Sequence, residues 1–329
     1  MLSWLAMASG NSVISGKQET YLVIGANGFI GSHLVDQLAK LPNTKVVCFD
    51  RFSRPPVFMR RPNTKLIKGD YFNKQDSEKG LENVDYVVHC FSATTPASSL
   101  ANPNLDAQMI KRNTEFFENC AKSNVKKIAF VSSADVYGKA SEKKAATEDD
   151  RPKPTSPYGM AKLASERSLE TFRIKYGQAY VAYRLTNPYG PRQIFKNGMG
   201  VIPVFIDNIK AQRKISVFGD GSASRDYIYV EDAAKMMINA LIQPNRHNLY
   251  NIGSGKQTTI NDLIQTLQKH FNKKIDIEYK KTPAINSKRI WVSITRFNSE
   301  FGAPELIPLE AGIAKTLATA EPRTGTEKQ

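Results

Sequence analysis

The stretch Tyr21–Gly31, YLVIGANGFIG, decides how the chain is read. Four apolar or aromatic residues run into three glycines spaced three apart: Gly25, Gly28 and Gly31. The apolar run predicts a short buried strand at Tyr21–Gly25, and the pattern after it predicts an amphipathic helix over Phe29–Leu41. A glycine at the strand end permits a tight turn. A second lets backbone approach a pyrophosphate, and a third lets the helix pack on the strand. The helix start then offers unpaired N–H groups and the positive end of its dipole to an anion. The spacing is G-x-x-G-x-x-G, not G-x-G-x-x-G, so a turn that serves packing alone stays open at this point.

Working outward, further short runs rich in Val and Ile predict strands at Val46–Asp50, Lys65–Gly69, Tyr86–Cys90, Ile128–Ser132 and Tyr180–Leu185. Helical patterns lie between them, at Asp106–Lys122 and Pro157–Gly177 among others. Strand–helix alternation predicts an α/β fold: a doubly wound parallel sheet covered on both faces. After Asn187 the regularity fades. Pro188, Pro191, Pro203, Gly198 and Gly200 interrupt the chain, and helices at Val204–Gln212, Val230–Leu241 and Ile260–Phe271 follow. The expected organisation is a loose extension over 1–18, a nucleotide-binding domain over 19–187 with a return segment near 224–254, a smaller mixed α/β domain over 188–320, and a polar tail over 321–329.

Composition narrows the class. With 46 Lys plus Arg against 31 Asp plus Glu, the net charge of +15 favours anionic ligands. The basic residues are dispersed, and the densest run, KHFNKKIDIEYKK (Lys269–Lys281), reads as a solvated face; no nucleic-acid-binding motif is found. The three cysteines, Cys48, Cys90 and Cys120, are far apart and fit free thiols in a reducing, cytoplasmic setting. The scattered histidines predict no structural metal. No stretch approaches the roughly 20 apolar residues of a membrane span, and the start lacks the basic region and apolar core of a signal peptide.

Asp50 ends the second predicted strand, where a carboxylate can accept both ribose hydroxyls of adenosine and repel a 2′-phosphate. Arg51 and Arg54 follow it and could accept a phosphate there, so NADP stays open beside NAD, as does a plain strand-end role for Asp50. After the third strand, Asp70 and Tyr71 are candidate neighbours of an adenine edge. Tyr158 and Lys162 lie four apart on one predicted helix face. A lysine cation near a phenol lowers its pKa, and a phenol so tuned serves as a general base. Of the 13 tyrosines, Tyr158 alone has lysine four residues on, although an exposed helical pair would look the same. Ser132 and Ser133 end a predicted buried strand, where a parallel sheet presents its ligand crevice.

Together these elements resemble the extended short-chain dehydrogenase/reductase superfamily and its NAD-dependent epimerase/dehydratase family. Within it the chain is similar to nucleotide-sugar epimerases of the UDP-glucose 4-epimerase type. The resemblance spans Thr20 to Thr316 and rests on GANGFIG, FD at 49–50, HCFSATTP, VSSADVYG, YGMAK, YRLTNPYGPRQ, VFGDGSASRDYIYVED and YNIGSG, in that order. It implies a Rossmann-type sheet, NAD as cofactor and a UDP-sugar as substrate. Gly25, Gly28, Phe29, Ile30 and Gly31 would wrap the pyrophosphate. Asp50, with Arg51 beside it, would hold the adenosine ribose. Phe91, Ser92, Ala93, Thr94 and Ser132 would line the cofactor. Ser133, Tyr158 and Lys162 would be catalytic, with Lys162 also on the nicotinamide ribose. Asn187, Val201, Ile202, Phe218, Arg225 and Arg289 would meet the nucleotide sugar. The helices Asp106–Lys122 and Pro157–Gly177 resemble the family's four-helix homodimer interface.

Two stretches depart from the family pattern. MIKRN (Met109–Asn113) replaces N-V-x-G-T, so an asparagine contact to the cofactor is lost or replaced. SKRIWVSITR carries Ser293 at a usual aspartate position, with Arg289 as a substitute contact. The sister activities on this scaffold are 4,6-dehydration, 4-keto reduction and decarboxylation. A dehydratase would place Asp-Glu at Ala134 and Asp135, so its acid is missing. A decarboxylase often keeps Glu at the Asp135 position, and a 4-keto reductase would favour NADP, against Asp50. A non-catalytic scaffold would lose Tyr158 or Lys162.

Overall fold

The computed structural model describes residues 16–138, 144–194, 200–281 and 289–319. Its first part alternates strand and helix: β1 (Glu19–Ile24), α1 (Phe29–Leu38), β2 (Thr44–Asp50), β3 (Thr64–Lys68), α2 (Lys74–Lys79), β4 (Tyr86–His89), α3 (Pro96–Ser99), α4 (Pro103–Ala121), β5 (Lys127–Ser133), α5 (Pro157–Tyr176) and β6 (Ala179–Leu185). The second part comprises β7 (Asn187–Tyr189), α6 (Val201–Lys210), β8 (Ile215–Phe218), β9 (Ser224–Arg225), β10 (Tyr227–Tyr229), α7 (Val230–Ile242), β11 (Leu249–Ile252), β12 (Thr258–Thr259), α8 (Ile260–Phe271), β13 (Ile277–Lys280), β14 (Arg289–Ile290), α9 (Thr295–Phe301) and α10 (Leu309–Thr319).

Seven strands form one parallel sheet in the order β11-β6-β5-β4-β1-β2-β3. The chain moves outward from β1 to β2 and β3, then crosses to β4 on the other side of β1. The carboxyl ends of β1 and β4 therefore diverge into a crevice, the ligand position of doubly wound sheets. Alternate strand residues feed two cores. Val23, Val46, Cys48, Ala129, Val131, Val181 and Tyr183 face α1 and α7. Leu22, Ile24, Val47, Phe49, Ile128, Phe130 and Ala182 face α4 and α5 through Phe116, Phe117, Leu169 and Phe172. Both faces are apolar because both are covered.

Helix ends follow local chemistry. Ser156 caps α5, its hydroxyl accepting from the Gly159 N–H at 3.0 Å, and Pro157 takes the first helical position. Gly177, in a left-handed conformation (φ 71°), ends it. Prolines also explain two shifted starts. α4 opens at Pro103, and α6 opens at Val201 with Pro203 in its first turn, because an early proline gives up an N–H that has no partner there anyway.

Beyond β6 the chain leaves the sheet and returns to it in β11, which pairs with β6 from Leu249↔Ala182 to Ile252↔Leu185. The other strands of the second part form small sheets: β7 with β10, β9 between β12 and β14, and β8 with β13. The β7–β10 and β8–β13 pairs share a third core with α6, α8 and α10, built from Tyr189, Ile202, Phe205, Ile206, Ile209, Val217, Leu263, Leu267 and Ile313. Among the described residues, no helix is long and apolar enough to cross a membrane.

Candidate active site

A cavity of about 690 Å³ opens at the carboxyl ends of the central strands. At one end lies the turn between β1 and α1. Gly25 adopts φ 84°, and a Cβ there would stand 3.0 Å from the Phe91 backbone at the end of β4. A Cβ on Gly31 would stand 2.0 Å from the Gly25 carbonyl oxygen. Both positions therefore exclude any side chain, one for backbone conformation and close approach, the other for seating the helix. Gly28, the N-cap of α1, carries no capping side chain, and the first turn has no acidic residue. A positive helix end thus faces the cavity with no acidic residue in its own first turn.

The adjoining wall carries Asp50 and Arg51. The Asp50 carboxylate accepts from the Asn27 N–H at 3.0 Å and the Phe52 N–H at 3.3 Å, so it braces the turn as well as facing the cavity. Asn27 organises the segment beyond it. Its amide donates to the Arg54 and Pro55 carbonyls, its Oδ1 accepts from the Val57 N–H, and its carbonyl accepts from Arg54 Nη2.

At the far end Ser133, Tyr158 and Lys162 meet on one wall. Lys162 is buried, and its Nζ donates to the Val131 carbonyl at 2.8 Å. The ammonium lies 4.9 Å from the Phe130 ring centroid and 5.6 Å from that of Tyr158. Burial pulls its pKa down to about 8. The Tyr158 phenol is pushed up, not down, chiefly by burial and then by the Asp135 carboxylate, while Ser133 pulls it the other way. This corrects the expectation of a lowered phenol: Lys162 points its charge at a backbone carbonyl, and a desolvated phenolate with a carboxylate nearby is costly. Asp135 also lines the cavity. Burial raises its pKa, with Arg225 opposing.

Most of the remaining sequence candidates are brought to the same cavity: Phe29, Ile30, Tyr71, Phe91, Ser92, Ala93, Thr94, Ser132 and Asn187 all line it. Tyr71 presents its ring, since its hydroxyl is buried and donates to Asn113 Oδ1 at 2.9 Å. Asn113 in turn donates to Ser165, so the MIKRN segment is committed to packing between helices. Among the described side chains, five candidates are not cavity-lining residues. The Asp70 carboxylate accepts from the Phe72 N–H and closes a local turn. Val201 and Ile202 pack into the third core, Ile202 at 1% exposure. Phe218 is exposed on the outward side of β8. Arg225 donates to the Ser224 carbonyl, and its charge is felt at Asp135. Of Arg289, only the backbone is described, in β14 beside Ser224. The sequence reading passed over Asn27, Thr95 and Thr186. Asn27 sits between two of the three glycines, and its signal was a side-chain amide at a position the glycine spacing leaves unspecified.

Residues 21–253 match the model of a single family, described as NAD dependent epimerase/dehydratase. The chain belongs to that family. Among its relatives is a putative UDP-glucose 4-epimerase of Methanocaldococcus jannaschii, 32% identical over 300 residues, which cover 90% of this chain and 96% of that one. A dTDP-4-dehydro-6-deoxyglucose reductase of Escherichia coli is 28% identical over 313 residues, covering 92% and 98%. The crystal structure of Thermotoga maritima UDP-glucose 4-epimerase with UDP-glucose superposes with a TM-score of 0.84 at 30% identity, covering 91% and 98%. NAD is the cofactor of the epimerase/dehydratase family, and the residues present fit it. The cradle at Gly25 and Gly31 is one that a Cβ would fill, and the uncapped start of α1 suits a pyrophosphate.

Proposed function

We propose that the chain is an NAD-dependent nucleotide-sugar epimerase that inverts C4 of a UDP-sugar through a transient 4-keto sugar. The observation that supports this most is that Ser133, Tyr158 and Lys162 share a cavity with the glycine turn and Asp50. The glycine turn and the α1 N-terminus would hold the pyrophosphate of NAD, and Asp50 the adenosine ribose. Bound there, NAD supplies a hydride acceptor that becomes the donor for the return step. Tyr158 takes the proton of the sugar 4-hydroxyl, with Ser133 sharing it, and gives it back when the keto group is reduced from the other face. Lys162 keeps a cation against the phenol ring and holds the nicotinamide ribose. Asn187 would face the sugar nucleotide, with Arg225 placing positive charge near its diphosphate.

A second reading, 4-keto reduction, has its support in the Escherichia coli reductase that is 28% identical. Incubation with a panel of UDP-sugars, without added cofactor, separates the two. An epimerase converts a sugar to its epimer with no net redox change, whereas a reductase needs stoichiometric reduced cofactor. No conversion of any sugar in the panel would overturn the epimerase reading. We also propose a homodimer through α4 and α5, which pair on one face and leave Met160 and Ile174 exposed. Sedimentation showing only monomer at micromolar concentration would overturn that.

A further inference from the structure

Behind the catalytic wall, three consecutive residues of β5 meet three successive turns of α5. Ser133 stands beside the Tyr158 phenol. The Val131 carbonyl accepts from Lys162 Nζ at 2.8 Å. The Ser132 hydroxyl donates to Glu166 Oε1 at 2.5 Å. The helix positions are spaced by four, so all three side chains share one face.

Glu166 is fixed from the other side as well. Arg184, on β6, donates from Nη2 to Oε2 at 2.8 Å and from Nε to Oε1 at 3.2 Å. Both residues are buried, at 3% and 8% side-chain exposure. The guanidinium also stacks on Tyr137, 4.6 Å from the ring centroid. A bidentate pair so enclosed has one geometry, and it fastens α5 to both β5 and β6.

We propose that Glu166 is a positioning residue for Lys162: clamped by Arg184 and Ser132, it keeps α5 in register on β5 and holds a fixed negative charge one helical turn from the catalytic ammonium. This rests on Lys162 being catalytic, as proposed above. The need for such a charge is visible in the surroundings of Lys162. Its Nζ hydrogen-bonds a neutral carbonyl and faces two aromatic rings. From the end of β4 it meets His89, whose own pKa lies near 3 through burial and the Lys162 charge, and from the residue after the strand it meets Cys90. From α4 it feels Asp106, and from its own helix Tyr158 and Glu166. Burial works against the ammonium, while Cys90, Glu166 and Asp106 work for it. Of these, Glu166 alone is locked by an ion pair to the sheet that carries the active site.

The test separates charge from mere structure and does not depend on turnover. The Lys162 side chain is followed by carbon-13 NMR across a pH titration, its signal assigned by its loss in Lys162→Arg. Glu166→Gln alone leaves Arg184 buried without its counter-ion, a change that commonly unfolds a domain. The deciding variant is therefore Glu166→Gln/Arg184→Met, which removes both charges and can retain the fold. Expected is a folded double variant in which the Lys162 midpoint moves down by about half a pH unit or more. Where the wild type epimerises a UDP-sugar, the alkaline limb of kcat should move with it, with KM little changed. A folded double variant whose Lys162 titrates as in the wild type overturns the proposal. Absence of activity in the wild type would overturn the epimerase reading and leave the NMR result standing.

Discussion

The two ends of the cavity are built differently. At the glycine turn, geometry is set by backbone within one strand–turn–helix: Gly25, Gly28 and Gly31 lie within seven residues of sequence. At the opposite end, Ser133, Asp135, Tyr158 and Asn187 come from β5 and the turn after it, α5 and β7, and are brought together by the sheet order. The first kind of site is written in local sequence. The second is a product of the whole fold, so single changes there should alter chemistry or specificity without disturbing the first.

The sharpest test of that contrast is Tyr158→Phe. Turnover should fall by about 10²- to 10⁴-fold, while NAD affinity, read by calorimetry, stays within a factor of two or so. A parallel loss of NAD would show that the two ends are not separable. Next is Gly31→Ala, which drives a methyl group into the Gly25 carbonyl. It should cost about 1–3 kcal/mol in stability and weaken NAD by at least about tenfold; an unchanged melting temperature would mean the turn relaxes freely. Asp50→Ala should weaken NAD by about tenfold, the value of one charge-assisted hydrogen-bond partner, and narrow the preference over NADP. Preference identical to wild type would remove Asp50 from the ribose.

The smallest effect is in pH. Lys162 titrates near 8 in the fold against an ordinary 10.5. Its lowered value means that the folded state binds fewer protons than the unfolded state between those two points. Its contribution to stability should therefore rise as pH climbs from about 8 to 10.5. Chemical denaturation of Lys162→Met across that window should lack this slope; a slope equal to that of the wild type would show that Lys162 keeps its ordinary proton affinity.

The parallel sheet was legible because its strands are short Val- and Ile-rich runs separated by helical spacing. The Gly25–Asp50 wall was legible because its residues are fixed by local turns. Ile202 was misjudged although its neighbours carry the signal. Ile202, Phe205, Ile206 and Ile209 follow the i, i+3, i+4, i+7 spacing of a buried helix stripe. Reading Pro203 as a breaker hid the first turn of that helix. The phenol's raised pKa was not legible at all, since it depends on burial and on Asp135, and neither follows from a Y-x-x-x-K spacing. The double role of Asp50, brace and cavity wall, likewise needed coordinates, because its partner N–H belongs to Asn27 in the preceding loop.

The return of the chain to the sheet in β11 has a mechanical outcome. Neighbouring strands β6 and β11, hydrogen-bonded along four register pairs, carry the outgoing and incoming ends of everything from Asn187 to Asn248. A backbone cut anywhere in that excursion leaves the two fragments anchored through adjacent strands of the same open sheet, so a nicked molecule should hold together as one body until the sheet itself comes apart.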